Sequence, residues 1–466
     1  MQEDYIVLEK TYDLLQIIFL QIKKTDPSCS HQLDALFDTV PKNTALIFFL
    51  MHNQLIIPTF INLIMNHSTK QSIAIIGGGA SSLLLAALLN SNKYDVSIYE
   101  KNNALGRKFL VAGDGGFNLT HAENINDFTK RYSPSAFMEN YLRKFSNEDL
   151  RHYLKNIGVE TYVGSSKRVF PVKNTKPIEV LNAFEKQLIK NKVKLFFKHE
   201  WKGFTNNQQL LFDTNNEIKT IKSDVVIFSL GGASWKITGS TGNWLNHFQK
   251  NKINTFPFEA SNCAYKISHK NYKPLVFGAA LKNCVFSSGE QSKKGEAVIT
   301  KFGIEGSGIY PLSQEIRKQL KENQQAYLHI DFKPDLELDE IKKRIITREN
   351  YSIKDVLAKK INLTAAQIEL IKNNSTKEEY NDALKLSKLI KQFCFTIEAA
   401  APIDEAISSV GGIDLNEITT HLELKKIPNH YCIGEMLNWD APTGGYLLQA
   451  CFSMAFYLAN HLNNKK

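Results

Sequence analysis

Between residues 73 and 99 the apolar positions fall into two short β-branched runs, 73–76 and 96–99, that bracket a glycine cluster and a leucine- and alanine-rich stretch at 83–89. Such runs predict buried parallel strands, and the stretch between them, free of Gly and Pro, predicts a helix. Residues 136–157 carry Phe137, Tyr141, Leu142, Phe145, Leu150, Tyr153 and Leu154 at helical spacing, with Gly158 placed as a C-cap. A crossover helix at 178–190, a strand at 193–197 and a further buried strand at 224–230 follow. From 259 to 335 the pattern changes to short strands separated by glycine turns, and 341–389 is helical and lysine-rich. A last strand precedes Gly434, and a long helix starts after Gly445. The expected fold is α/β, with a parallel-sheet domain in two segments, 71–258 and 398–466. Inserted at 259–397 is a second domain, β-rich over 259–335 with a small helical cap at 336–391, and residues 1–70 form an N-terminal extension.

The first strand runs straight into Gly77-Gly-Gly79-Ala80-Ser81-Ser82, and the second ends on Glu100. A dinucleotide site demands this order. Gly77 allows the tight turn, Gly79 lets the backbone approach a pyrophosphate, and free N–H groups at the helix start meet its charge. Glu100 sits where a carboxylate accepts hydrogen bonds from both ribose hydroxyls and repels a 2′-phosphate. Ser82 replaces the third glycine of G-x-G-x-x-G, which asks the helix to sit slightly further from the strand. Next come Gly106-Arg107-Lys108 and Gly113-Asp-Gly115-Gly-Phe-Asn118-Leu-Thr-His121, a density of glycine, guanidinium and amide that suits the wrapping of an anion better than a core. Nicotinamide sites leave the adenosine half soon after the acid. FAD proteins of the glutathione-reductase type use this loop to hold the pyrophosphate and the ribityl chain, so FAD is the cofactor expected.

Further along, the strand at 224–230 stops on Gly231 and Gly232, which lets the backbone touch the adenosine side of the cofactor. Ser240 or Thr241 is placed to cap a helix that follows, and Trp235 and Trp244 read as packing residues or pocket walls. Gly434-Glu435 closes the last strand where flavoproteins hydrogen-bond the ribityl hydroxyls. Thr443-Gly444-Gly445-Tyr446 opens the C-terminal helix, whose positive end would stabilise an anionic reduced flavin ring. A side chain at 445 is expected to collide with that ring. The cofactor-binding set is therefore Gly77, Gly79, Ala80, Ser81, Ser82, Glu100, Lys101, Gly106, Arg107, Lys108, Gly115, Asn118, Gly231, Gly232, Gly434, Glu435, Thr443, Gly444, Gly445 and Tyr446. No metal-ligand set is expected. Lys167 and Arg168 are two adjacent cations that either neutralise a reduced flavin or hold an acidic substrate, or else form a charged turn between strands. The segment 303–310 is expected to overhang the ring, where Glu305 or Tyr310 delivers a proton. Arg168, Glu305 and Tyr310 are thus the catalytic candidates, and Cys263 is a pocket thiol or a buried one.

These segments, with Gly164-Ser-Ser-Lys-Arg168-Val-Phe-Pro171 and Gly434-Glu-Met-Leu-Asn-Trp-Asp-Ala-Pro-Thr-Gly-Gly-Tyr446, resemble the bacterial YhiN/BaiN-type flavoproteins. The likeness is to the subgroup that ends in a GEMLxWxAPTGGYLL signature, and it runs from about residue 72 to about 460. It implies non-covalent FAD on a Rossmann-like two-dinucleotide-binding domain in two segments with a second domain inserted. It also implies reduction of ring carbon–carbon double bonds, since relatives are associated with bile-acid ring reduction and with dihydrouridine formation in ribosomal RNA. The expected function is an FAD-dependent oxidoreductase: NAD(P)H reduces the flavin, which reduces a C=C bond of a small cyclic or conjugated substrate. Two alternatives stand beside it, an RNA-modifying reductase acting on uridine and a non-catalytic flavin-binding protein.

Composition changes this picture little. With 466 residues, 43% hydrophobic and 22% charged, the chain is an ordinary globular protein. Its six cysteines contain no C-x-x-C, which excludes a dithiol pair or zinc ribbon and fits a reduced, cytoplasmic thiol set. A net charge of +10 fits an RNA partner and a lysine-rich solvated surface equally. The apolar stretch from Thr44 to Met65 is broken by His52, Asn53, Gln54, Pro58 and Asn62, so no membrane span is expected. Met65-Asn-His-Ser-Thr-Lys70 has the form of a bacterial start, which would make residues 1–64 upstream sequence or a small helical appendage.

Overall fold

A computed structural model describes residues 70–111, 117–268, 276–348 and 350–465. Met65 and Gly115 lie outside these residues. Five parallel strands carry the cavity described below: β1 (Gln71–Ile76), β2 (Tyr94–Tyr99), β3 (Lys194–Phe196), β4 (Val225–Phe228) and β5 (His430–Cys432). They lie in the order β5-β4-β1-β2-β3. Burial explains the pattern: Ile73–Ile76 and all of β4 are covered on both faces, which a run of alternating polar residues could not tolerate. Strand order reverses at β1, and the crevice beyond the carboxyl ends of the strands there is where such sheets receive ligands.

Helix α1 (Ala80–Leu88) leads from β1 toward β2, α2 (Arg107–Val111) follows β2, and α3 (Pro177–Lys190) precedes β3. Within the inserted part lies α4 (Ser313–Asn323), and the chain closes with α5 (Tyr446–Asn464), which packs along α1. Tyr94 Oη donates to Leu462 O at 2.5 Å and Asn463 Nδ2 to Leu88 O at 2.9 Å. These bonds fix the far end of α5, so its first turn meets the crevice.

The chain leaves this sheet along Thr255–Ser261 and returns along Ser408–Ile413, and the two segments pair antiparallel. Between them a closed six-stranded barrel is built from Tyr265–Ile267, Ile304–Glu305, Gln291–Ile299, Ala280–Ser288, Ala326–Asp331 and Phe393–Ala400. It has its own apolar core, centred on Tyr265, Phe286, Ile330, Phe393 and Phe395, separate from the core beneath the parallel sheet. No helix among the described residues is long and apolar enough to cross a membrane.

Two local expectations are corrected. Residues 136–157 form two helices, Ser135–Lys144 and Asn147–Asn156, because Phe145 is extended and Ser146 starts the second with a capping box. Asp149 Oδ2 accepts from Ser146 N at 2.8 Å, and Ser146 Oγ accepts from Asp149 N at 3.3 Å. Nor does Ser240 or Thr241 cap a helix: the helix is Leu245–Lys250 and starts from Trp244, while Ser240 Oγ donates to Gly232 O at 2.9 Å.

Candidate functional site

At the end of β1 the backbone turns at Gly77 with φ +99°, and a Cβ there would stand 2.4 Å from Ser229 O. Only glycine lets β1 and β4 end side by side. Ser82, wholly buried, donates from Oγ to Gly77 O at 2.5 Å, so the residue that departs from the glycine pattern acts as a clasp across the turn. Gly79 is the residue before α1 and takes no side-chain cap. Around its Cβ position no described atom beyond its neighbours lies within 4 Å. The first N–H groups of α1 have no intrahelical acceptor, and they face a cavity of about 740 Å³.

That cavity is lined by Gly77, Gly79, Ala80, Ser81, Glu100, Lys101, Gly106, Arg107, Lys108, Asn118, Gly231, Gly434, Glu435, Thr443, Gly444 and Gly445, which converge from six separate stretches of chain. Lys108 Nζ donates to Ser234 Oγ at 2.9 Å and pairs with Glu435 at 3.0 Å. The pair ties the start of α2 to the turn after β5. Arg107 donates to Asn102 Oδ1 at 2.7 Å and to Ile237 O at 3.0 Å, which holds its guanidinium at the rim. Asn118 Nδ2 is buried without a hydrogen-bond partner among the described residues, a donor in want of an acceptor. Gly434, at φ +83°, would bring a Cβ within 2.7 Å of Ser81 Oγ, so β5 and α1 also close on each other through glycine.

Several expected roles change. Glu100 is buried, and its carboxylate is bound by the protein itself: Gly78 N at 2.7 Å, Asn102 N at 2.8 Å and Asn102 Nδ2 at 2.7 Å. A carboxylate has roughly four acceptor positions. About one is left for a ribose hydroxyl, not two, and Glu100 braces the glycine turn as well. Gly232 does not line the cavity, because its Cβ position lies 2.2 Å from Ser409 Oγ, where the two segments of the sheet domain meet. Gly445, at φ +97°, would place a Cβ 2.5 Å from the carbonyl carbon of Thr120, so what it avoids in the protein is backbone rather than a ring. Tyr446 turns away from the cavity: its ring stacks on His121 at 5.1 Å and its hydroxyl donates to Glu123 Oε2 at 2.8 Å. Burial, with Glu123 beside it, pushes the phenol well above its ordinary value.

The catalytic candidates separate. Glu305 and Tyr310 sit on the barrel side, 3.4 Å apart, and neither lines the cavity. Burial and the neighbouring Glu305 push the Tyr310 phenol up to about 12, which suits a packed hydroxyl. The segment 303–310 does not overhang the cavity, since Gly303 is pressed against the Tyr265 carbonyl and Gly308 against the Phe286 ring. Cys263 is a buried thiol whose pKa is raised by burial. Arg168 is outside the cavity lining but close to it: its Nε lies 3.6 Å from the Cβ position of Gly444. No hydrogen bond or ion pair engages its side chain among the described residues.

Sequence reasoning missed one end of the cavity. Tyr99, His199, Trp201 and His247 wall it together with Trp244, and Leu447, Leu448 and Cys451 line it along α5. The spacing of the aromatic group gives no signal, because Trp201 and His247 meet only through the fold, at 5.1 Å between rings. Burial pushes the Cys451 thiol up to about 12.

The chain matches the model of the HI0933-like protein Rossmann domain over residues 71–461. It is 25% identical to a 3-dehydro-bile acid delta(4,6)-reductase of Clostridium scindens, the alignment covering 82% of this chain and 97% of that protein. It is 20% identical to a ribosomal RNA dihydrouridine synthase of Escherichia coli, over 83% of this chain and 97% of that one. Among solved structures, a 3-ketosteroid delta1-dehydrogenase from Sterolibacterium denitrificans aligns with a TM-score of 0.46 and 12% identity, covering 86% of this chain and 100% of that chain. A family match across nearly the whole described region, on a sheet whose glycine turn has the geometry its motif requires, establishes that the chain belongs to the HI0933-like Rossmann family expected from its motifs.

Proposed function

We propose that this chain is an FAD-dependent oxidoreductase that reduces a C=C bond of a cyclic or conjugated small molecule, with NAD(P)H as the electron source. One observation carries the reading: a single cavity joins the helix start at Gly79 to the Gly434-Glu435 and Thr443–Gly445 turns. Only an extended ligand with an anion at one end and a polar ring at the other uses both. The residues fit FAD, because Gly79 leaves its Cβ space open toward the helix start and, among the described residues, Asn118 Nδ2 has no acceptor.

Bound there, FAD would supply two-electron transfer to a polarised double bond. The N–H groups of Gly79, Ala80 and Ser81 meet the pyrophosphate at the positive end of α1. Glu100 accepts one ribose hydroxyl and keeps the turn in place. Lys108, held by Glu435, would meet the cofactor between the two ends. The Thr443–Gly445 turn would hold the ring end of the cofactor at the positive end of α5. Arg168, beside Gly444, would hold an anionic group of the substrate or a negative charge at the ring.

The activity of the C. scindens relative supports the reaction class, and that of the E. coli relative supports the same bond chemistry on RNA. A small-molecule substrate is the reading preferred here, since the +10 charge alone does not distinguish an RNA face from a solvated one. The test has two steps. Heat release from purified or reconstituted protein should yield FAD; FMN alone, or no flavin, refutes the cofactor assignment. NADH or NADPH should then bleach the bound flavin anaerobically, and a conjugated cyclic enone should restore its colour. Reoxidation by unmodified ribosomal RNA instead, with binding that weakens steeply in salt, would move the assignment to RNA. A flavin that neither reoxidises would leave a binding protein.

A further inference from the structure

Asn262 stands where the chain leaves the sheet domain for the barrel. It is 1% exposed and holds a left-handed backbone, φ +53°, which asparagine tolerates better than most residues. All of its side-chain amide is used. Nδ2 donates to Ser408 Oγ at 2.7 Å and to Ala441 O at 2.8 Å, and Oδ1 accepts from Thr443 N at 3.2 Å. One buried amide therefore grips both the returning strand and the turn that opens α5. A second grip lies beside it. Arg317, on α4 of the inserted part, donates to Asp440 Oδ2 at 2.5 Å and to Ser261 Oγ at 3.0 Å, with both charged groups nearly buried. Asp440 in turn accepts from Ala441 N at 2.9 Å. The 440–443 segment is thus fastened by an ion pair from the insertion and by an amide at the insertion's root.

We propose that Asn262 and Arg317 are positioning residues through which the inserted domain fixes the Ala441–Gly445 turn against the cofactor ring, and so sets the flavin's reduction potential. The inference rests on the placement of the ring end at this turn. Its physical basis is distance: N–H groups and the positive end of a helix favour a negative charge within about one turn, and the effect fades beyond it. A turn that drifts outward by a fraction of a turn weakens the preference for the reduced, more negative ring without touching the ring itself.

The experiment uses the full-length, FAD-loaded protein and reads the two-electron midpoint potential by dye-equilibrated reduction, with FAD affinity and apo-protein unfolding measured alongside. Asn262→Ala and Arg317→Met should each lower the ratio of reduced- to oxidised-flavin affinity by about tenfold, a fall of about 30 mV for a two-electron couple. Arg317→Lys, which keeps a cation on Asp440, should recover most of that fall. Lowered stability with an unchanged potential in both Asn262→Ala and Arg317→Met would overturn the proposal and leave the pair as structural fasteners. Leu448→Glu separates this from an error of placement, because Leu448 lines the cavity one turn into α5. If that carboxylate changes neither affinity nor potential, the ring lies elsewhere, and the placement fails together with the inference built on it.

Discussion

Gly79→Ala should weaken cofactor binding tenfold or more while leaving the apo-protein folded. Backbone strain is not at issue, since φ at Gly79 is −82°, which alanine adopts freely. Nor is packing, because no described atom beyond its neighbours lies within 4 Å of the Cβ that the substitution adds. Alanine is a poorer residue than glycine at this helix-start position, which costs about 1 kcal/mol or less. In urea the apo-protein should therefore unfold near the wild-type midpoint. The ligand meets a different situation. A pyrophosphate oxygen bound to the first N–H groups of α1 must come within about 2.7–3.2 Å of nitrogen, and a methyl group on the open face of Gly79 holds it off. Losing one charge-assisted hydrogen bond costs about 1.5–3 kcal/mol, roughly tenfold to more than a hundredfold in Kd. Flavin fluorescence titration of the apo-protein measures this directly. Wild-type affinity in Gly79→Ala would mean that the phosphates do not approach α1, and the cofactor orientation would have to be abandoned.

Glu100→Ala should weaken FAD binding and also destabilise the apo-protein, by about 1.5–3 kcal/mol, since it strips an acceptor from Gly78 N and from Asn102; loss of affinity with an unchanged urea midpoint would show the carboxylate serving the ligand alone. Gly445→Ala should fail as a fold, with low soluble yield, because the new Cβ meets the Thr120 backbone at 2.5 Å and φ is +97°; a stable variant with wild-type flavin content refutes this. For Glu123, burial acts to raise the carboxyl, but hydrogen bonds from Arg131 and the Tyr446 phenol outweigh it and hold the folded carboxyl below its ordinary value. Its stabilisation is therefore present above the unfolded value of about 4.3 and is lost as pH falls through the folded one. Glu123→Gln should be less stable than wild type near pH 7, with the gap closing below about pH 4 in urea titrations at each pH; a gap that widens in acid would reverse the assigned sign.

What could be read from the chain was local. Gly77, Gly79 and Glu100 declare themselves because a turn, a helix start and a strand end succeed one another within one short stretch, each with a residue preference set by its own backbone. Ser82 was legible as a departure, but its use was not: the bond to Gly77 O exists only once the helix has folded back over the turn. Glu100 was read as free for the ligand because its partners, Gly78 N and Asn102, are ordinary residues that the loop geometry happens to aim at it. The aromatic end stayed hidden, since Tyr99, Trp201 and His247 come from strands and a helix that carry no shared spacing.

Gly445 shows where such reading goes astray and why. A glycine pair before a helix is equally suited to a ligand and to a crossing strand, and the sequence near it distinguishes neither. The residue that decides is Thr120, whose backbone crosses at 2.5 Å from the Cβ position. The same holds for the turn as a whole: Asn262 grips Thr443 across 181 positions of chain, and Arg317 grips Asp440 across 123. A motif that looks self-contained, Ala441-Pro-Thr-Gly-Gly445, thus takes its position from side chains outside it. Conversely, the insertion is more than a passenger on the sheet domain. Two of the bonds that hold this turn can form only after the barrel's α4 and its root have docked, so the cavity's ring end should be the last part of the site to order during folding. Hydrogen exchange would test that order: the amide of Thr443, bonded to Asn262, should exchange faster in Arg317→Met than in wild type, while Gly77 N–H, bonded within the sheet to Tyr99 O, should not change. Equal exchange at Thr443 in the two proteins would show that the turn is held by the sheet domain alone.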